Sequence, residues 1–122
     1  RLRMKELMII IRPEKLETVK NIMEEMGCGG MTISSVMGCG TQKGYDEESG
    51  PYQNQIKGFK TTINLLPKIR VEAVMRDSMV EPVIARIREE LAEGHVGDGK
   101  IFIRSVEDVV RIRTGERGKK AL

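Results

Sequence analysis

One plan occurs twice along this sequence of 122 residues, and it restricts the fold more than any other feature. Leu7-Met8-Ile9-Ile10-Ile11 is an unbroken apolar run, the mark of a strand buried on both faces. Pro13 suits the first position of a helix, and Leu16, Val19, Ile22, Met23 and Met26 then recur at helical spacing. Gly27 is placed to close that helix, and residues 31–36 alternate as a second strand. The plan returns at residues 68–75, another alternating strand. Ser78 and Glu81 have the spacing of a capping box, and Val83, Ile84, Ile87 and Leu91 form an apolar helix face. Pro82 is read as falling in the first turn, where its missing N–H costs little. A strand at 100–104, a short turn at 105–108 and a last strand at 109–113 complete the pattern. Two β-α-β units in tandem predict an α+β, ferredoxin-like fold: one antiparallel sheet with both helices on the same face.

A chain of this length makes one domain. We expect it to span residues 4–122, with Arg1 to Arg3 as an upstream extension or a remnant of cloning. The other face of such a sheet needs a cover, so self-association is expected. With no Trp, two Phe and eight Met, the core must be aliphatic and sulfur-rich. A net charge of +3 with interspersed acids argues against a nucleic-acid footprint. No apolar run approaches a membrane span, and no signal-peptide pattern opens the chain; the cytoplasm is the expected compartment. Cys28 and Cys39 have no CxxC or Cys/His grouping, which favours reduced structural thiols over zinc.

Chemistry concentrates at Gly94-His95-Val96-Gly97-Asp98-Gly99-Lys100, within a glycine loop read at 93–100. Glycines permit the positive φ and close backbone approach that a phosphate-cradling row of N–H groups requires, and Lys100 adds a mobile positive charge. The string matches the first part of a P-loop but then departs from it. Ile101 stands where Ser or Thr would bind magnesium, and a strand follows where a helix should begin. A small ATPase is therefore the weaker reading, because no nucleophile–base pair accompanies the loop. RNA binding is weaker still, since the strands offer almost no stacking aromatics. His95 reads as an incidental loop residue, because no second ligand lies near it. Between the two units lies a segment, 39–64, whose centre lacks periodicity. It reads as a flexible, functional arm.

From Met4 onward the chain resembles the PII signal-transduction family. The motifs that carry the resemblance are Ile11-Arg12-Pro13 with Lys15-Leu16, Gly30-Met31-Thr32, Gly38-Cys39-Gly40-Thr41-Gln42-Lys43-Gly44, Leu66-Pro67-Lys68, Val96-Gly97-Asp98-Gly99-Lys100-Ile101-Phe102, and Arg111-Ile112-Arg113-Thr114-Gly115-Glu116. The resemblance implies a non-catalytic homotrimer that binds ATP or ADP in clefts between subunits, with magnesium and 2-oxoglutarate as further ligands of the ATP form. It also implies control of a target protein, an ammonium channel or a nitrogen-metabolism enzyme or regulator, through the arm, the family's T-loop. Residues 114–122 correspond to the C-terminal loop.

Carried over by position, Gly97, Asp98, Gly99 and Lys100 are expected to hold the phosphates, with Ile10, Gly38, Gly40, Thr41 and Gln42 lining the same cleft. Arg111 and Arg113 are expected to reach the phosphates from the neighbouring subunit, their spacing placing both guanidinium groups on one strand face. Gly30, Met31, Thr32, Glu72 and Val74 match positions around base and ribose. For 2-oxoglutarate the matching residues are Gln42, Lys43, Gly44 and Lys68, and Gln42 is also the magnesium residue.

The chain also departs from the family pattern. The arm is longer than usual, and Thr61 takes the place of the tyrosine that some relatives uridylylate. Tyr45, Tyr52 and Ser49 lie elsewhere in the arm, out of the family's modification contexts. Thr41 replaces a common arginine, and Glu93 replaces a threonine, changes expected to lessen support for the nucleotide. The alternative is thus a specialised sensor of adenylates or another small metabolite that does not bind 2-oxoglutarate.

Overall fold

The computed structural model describes residues 3–28, 30–42, 53–56, 59–94 and 97–122, with the backbone alone described within residues 40–64. Five strands and two α-helices follow in the order β1 (Met4–Ile11), α1 (Leu16–Glu25), β2 (Met31–Gln42), β3 (Gln53–Ile56), β4 (Phe59–Arg76), α2 (Asp77–Leu91) and β5 (Lys100–Val106). The sheet order is β2-β4-β1-β5, every pairing is antiparallel, and β3 pairs with β4. This is the expected ferredoxin-like arrangement.

Alternation decides which face of the sheet is covered. Leu7, Ile9 and Ile11 of β1 and Val71, Ala73 and Met75 of β4 point to one side and are buried. They join Val19, Ile22 and Met23 of α1 and Val80, Val83, Ile87 and Leu91 of α2 in a single core. Burying each such aliphatic side chain contributes about 1.5–3 kcal/mol before the entropy of ordering it is subtracted. The opposite face presents Thr32 and Ser34, Lys68, Arg70, Glu72 and Val74, Glu6, Met8 and Ile10, and Lys100, Phe102 and Arg104, row by row in register.

The end of α1 forms as the glycine signal predicts. Gly27 has φ +76, its N–H donates to Glu24 O at 3.1 Å, and Cys28 N–H reaches Met23 O at 2.7 Å. These two bonds are the Schellman closure. Pro13 opens a 3-10 turn, Pro13–Lys15, ahead of the α-helix.

Several local expectations are corrected. The arm is not devoid of regular structure: β2 runs on to Gln42 and β4 begins at Phe59, where strands of 31–36 and 68–75 were expected. Only residues 69–76 of β4 have β1 beside them, so the β2–β4 pairing beyond Val36 and Lys68 projects as a ribbon past the rest of the sheet. Gln53–Ile56, in the supposedly aperiodic centre, forms a hairpin with β4. Ser78 and Glu81 do not form a capping box. The helix begins two residues earlier than that box requires, at Asp77, whose N–H donates to Arg3 O at 2.8 Å, and Arg76 at the N-cap makes no side-chain cap. Pro82 consequently lies inside the helix rather than in its first turn.

At the other end of the molecule, β5 extends through Val106 instead of stopping at Arg104. No strand forms at 109–113. Arg111 N–H donates to Glu116 O and Gly115 N–H to Arg111 O, closing a turn that leaves one bridge, Val110 to Arg117. Asp108 secures this turn through Val109 N–H at 2.8 Å, Gly118 N–H at 3.1 Å and Arg117 Nη1 at 2.7 Å. The Arg117 guanidinium, then those backbone donors, hold its carboxyl below the ordinary value. Among the described residues no helix is long and apolar enough to cross a membrane.

Candidate functional site

The strand order brings the end of β1, the start of β5 and the root of the arm together. Ile10 is in register with Lys100 on one side and Arg70 on the other, and the next open-face position along β4 is Lys68. The glycine loop arrives here pressed against β1. Gly97 and Gly99 have φ +101 and +115, in the region that favours glycine. A Cβ on Gly99 would stand 2.1 Å from the Ile10 carbonyl oxygen, so no larger residue fits.

Lys68 connects the loop to the arm. Its Nζ donates to Gly97 O at 3.3 Å, while its Cγ would lie 3.1 Å from a Cβ on Gly38. Thus Ile10, Gly38, Lys68, Gly97, Gly99 and Lys100, read separately as phosphate or oxo-acid residues, share one corner of the molecule. Backbone N–H groups around two positive-φ glycines, with two lysines beside them, make a corner suited to an anion.

The Asp98 side chain turns onto the backbone of its own loop. Its Oδ2 accepts from the N–H of Glu93 at 2.9 Å and of Gly94 at 3.1 Å, and Oδ1 lies 3.6 Å from Arg12 Nη2. It shapes the loop from behind. Glu93, expected to weaken the cleft, is engaged instead: Oε2 takes Lys15 Nζ at 2.6 Å and Oε1 takes Arg12 Nη2 at 2.9 Å. Lys15 first, and Arg12 after it, hold the Glu93 carboxyl below its ordinary value. Sequence reasoning missed this cluster, because its members lie 78 and 81 positions apart and no local spacing signals them.

The second set of expected residues lies elsewhere on the same sheet. Thr32 is in register with Glu72, and with Gly30 and Val74 they line a groove of about 770 Å³. Lys119, Ala121 and Leu122 form another of its walls. Glu72 is four strand residues from Lys68, roughly 13 Å along β4. The structure therefore divides the expected nucleotide residues into two groups. Arg111 belongs with the groove: its Nε and Nη2 lie 3.4 Å from the carbonyls of Ala121 and Leu122. The shared strand face expected for Arg111 and Arg113 does not exist, since a turn occupies residues 112–114. Cys28 also lines the groove, and burial pushes its thiol pKa up, as befits a structural thiol. Met31 packs against the core.

For Gly40, Thr41 and Gln42 the backbone continues β2, with Gln42 in register with Thr62. Lys43 and Gly44 lie outside the described residues, as do Tyr45, Ser49, Tyr52 and His95.

This double β-α-β frame has counterparts among known proteins. The family model described as "Nitrogen regulatory protein P-II" matches residues 4–116. The chain belongs to the P-II family. It is 50% identical over 119 residues to Nitrogen regulatory protein P-II 2 of Methanothermobacter thermautotrophicus, covering 98% of this chain and 97% of that one. Among solved P-II structures, a GlnK–ATP complex of B. subtilis superposes with a TM-score of 0.78 at 30% identity, covering 98% of this chain and 96% of that one. Arabidopsis thaliana PII bound to citrate gives a TM-score of 0.73 at 32% identity, covering 98% and 92%. The expectations of the family and of a ferredoxin-like fold hold.

Proposed function

We propose that this P-II protein is a non-catalytic sensor that binds ATP or ADP between subunits of a homotrimer and controls a target protein through its arm. The observation that carries the reading is the Lys68 bridge, which ties the arm root at Gly38 to the glycine loop at Gly97. A phosphate held by the loop N–H groups and Lys100 would act directly on the arm through that side chain. Adenine nucleotide is the ligand class suggested by the GlnK–ATP relative.

The two-group arrangement supports an intersubunit site. The phosphate corner with Ile10, Gly38, Gly40, Thr41, Gln42 and Gly97–Lys100 would face the groove group of a neighbour, with Gly30, Met31, Thr32, Glu72, Val74, Arg111 and Arg113. The loop suits a polyphosphate through its positive-φ Gly97 and Gly99 with Lys68 and Lys100 beside them, Gly99 being what lets it pack directly on the Ile10 carbonyl. Magnesium would accompany the phosphates, since a hard cation takes most of its oxygen ligands from them, and Gln42 is the protein residue that would hold it. The described residues contain no group of three His, Cys, Asp or Glu that would hold a metal by themselves. 2-Oxoglutarate would complete the site through Lys43, Gly44 and Lys68. The arm, 39–64, would then present itself to an ammonium channel or a metabolic enzyme or regulator.

Subunit mixing tests this reading. Lys100→Ala and Arg113→Ala homotrimers should each bind ATP about tenfold or more weakly by calorimetry, near 1.4 kcal/mol. Mixed trimers should regain native affinity at a fraction of their sites, because some clefts pair two unaltered halves. No ATP or ADP binding by the native protein would refute the reading. ATP binding unaffected by 2-oxoglutarate would identify the specialised adenylate sensor instead.

A further inference from the structure

The segment that would receive a phosphate also carries two carboxylates, Glu93 and Asp98, and two negative charges beside an anion site oppose binding. The molecule neutralises them from a single short turn. Lys15 N–H donates to Arg12 O at 3.0 Å across the 3-10 turn Pro13–Lys15. Residues three apart in such a turn eclipse, so the Arg12 and Lys15 side chains leave on the same side. They grip Glu93 by one carboxylate oxygen each, at 2.9 and 2.6 Å. Arg12 Nη2 also lies 3.6 Å from Asp98 Oδ1, and its Nε lies 3.7 Å from Glu14 Oε2 at the edge of the cluster. Asp98 Oδ2 in turn fixes the N–H groups of Glu93 and Gly94. The ring of contacts runs from the turn to Glu93, through the loop backbone to Asp98, and back to Arg12.

We propose that Lys15 and Glu93, with Arg12 and Asp98, form an ion-pair latch that positions the glycine loop and cancels its negative charge, leaving Lys68, Lys100 and the loop N–H groups to face the anion. This inference rests on the nucleotide reading above. Lys15 and Glu93 act through the loop and are positioning residues. The latch makes the acid at position 93 compatible with phosphate binding only while position 15 is basic.

The test uses the full chain with ATP as probe. Lys15→Met should weaken ATP binding about threefold to fivefold, the scale of a partly exposed pair. Lys15→Met with Glu93→Gln should return it to within about twofold of native, and the Lys15→Met defect should shrink at high salt. A merely structural role would give neither the rescue nor the salt dependence. Without nucleotide, Glu93→Gln should speed amide exchange at Gly94 and Gly97 about tenfold while leaving Ile9 and Val71 unchanged. Unchanged affinity in Lys15→Met, or a double variant no tighter than the single, would overturn the proposal. Faster exchange in Glu93→Gln, in a native protein that binds no ATP, would reject the nucleotide reading and leave the latch standing. Unchanged exchange with normal ATP binding would reject the latch alone.

Discussion

Gly99 and Gly115 both sit at positive φ, at +115 and +73, yet they should respond differently to alanine. At Gly115 nothing lies within 4 Å of an added Cβ, so Gly115→Ala should cost only the left-handed backbone penalty, about 1–2 kcal/mol. At Gly99 the added carbon meets the Ile10 carbonyl, which belongs to the central strand and cannot step aside. Gly99→Ala should therefore lose more stability in urea denaturation and also lose ATP binding, whereas Gly115→Ala should be the milder of the two in denaturation. Glu93 gives a second prediction at this scale. Its carboxyl is held below the ordinary 4.5, so its folded-state pKa is lower than its unfolded one. The stabilisation it contributes is present above 4.5 and is lost as pH falls through the depressed folded value. Gly94 amide exchange should thus stay slow until the pH drops below the ordinary carboxylate range, and Glu93→Gln should lessen that dependence while leaving the Asp98 carboxylate that accepts the Gly94 N–H in place.

Among the elements, α2 has the most room for improvement. Arg76 occupies its N-cap without a side-chain bond, so Arg76→Ser should stabilise the protein by about 1 kcal/mol, visible as a raised melting temperature. The two helices and the central strands were legible in the sequence because each buries one face or both, and burial imposes a period on residues such as Val19, Ile22 and Met23. The ribbon was not. Met37 and Leu65 are 61% and 63% exposed, and Gln53-Asn54-Gln55 carries no apolar alternation at all. A strand held mainly by backbone bonds leaves no such mark. The capping box failed for a different reason: Arg3, distant in sequence, supplies the acceptor that starts the helix early. The glycine loop and Lys68 could be read from their motifs, but the partners of Glu93 could not, because they come from the opposite end of the chain.

At the scale of the whole molecule, the proposed site needs the mixed open face to meet copies of the same chain. Phe102 is exposed there at 44%, in register with Met8. Phe102→Lys should shift sedimentation from three times the 13.7 kDa chain mass toward the single chain and weaken ATP binding in parallel. The strand order carries a further consequence, one of timing. β1 is synthesised first, yet its two neighbours are β4 and β5, which end at Arg76 and Val106. Until most of the chain has left the ribosome, the stickiest segment of the protein has neither edge paired and waits as an open strand. Its folding should therefore be slow for its size, and its vulnerability to aggregation should be greatest during birth rather than in maturity.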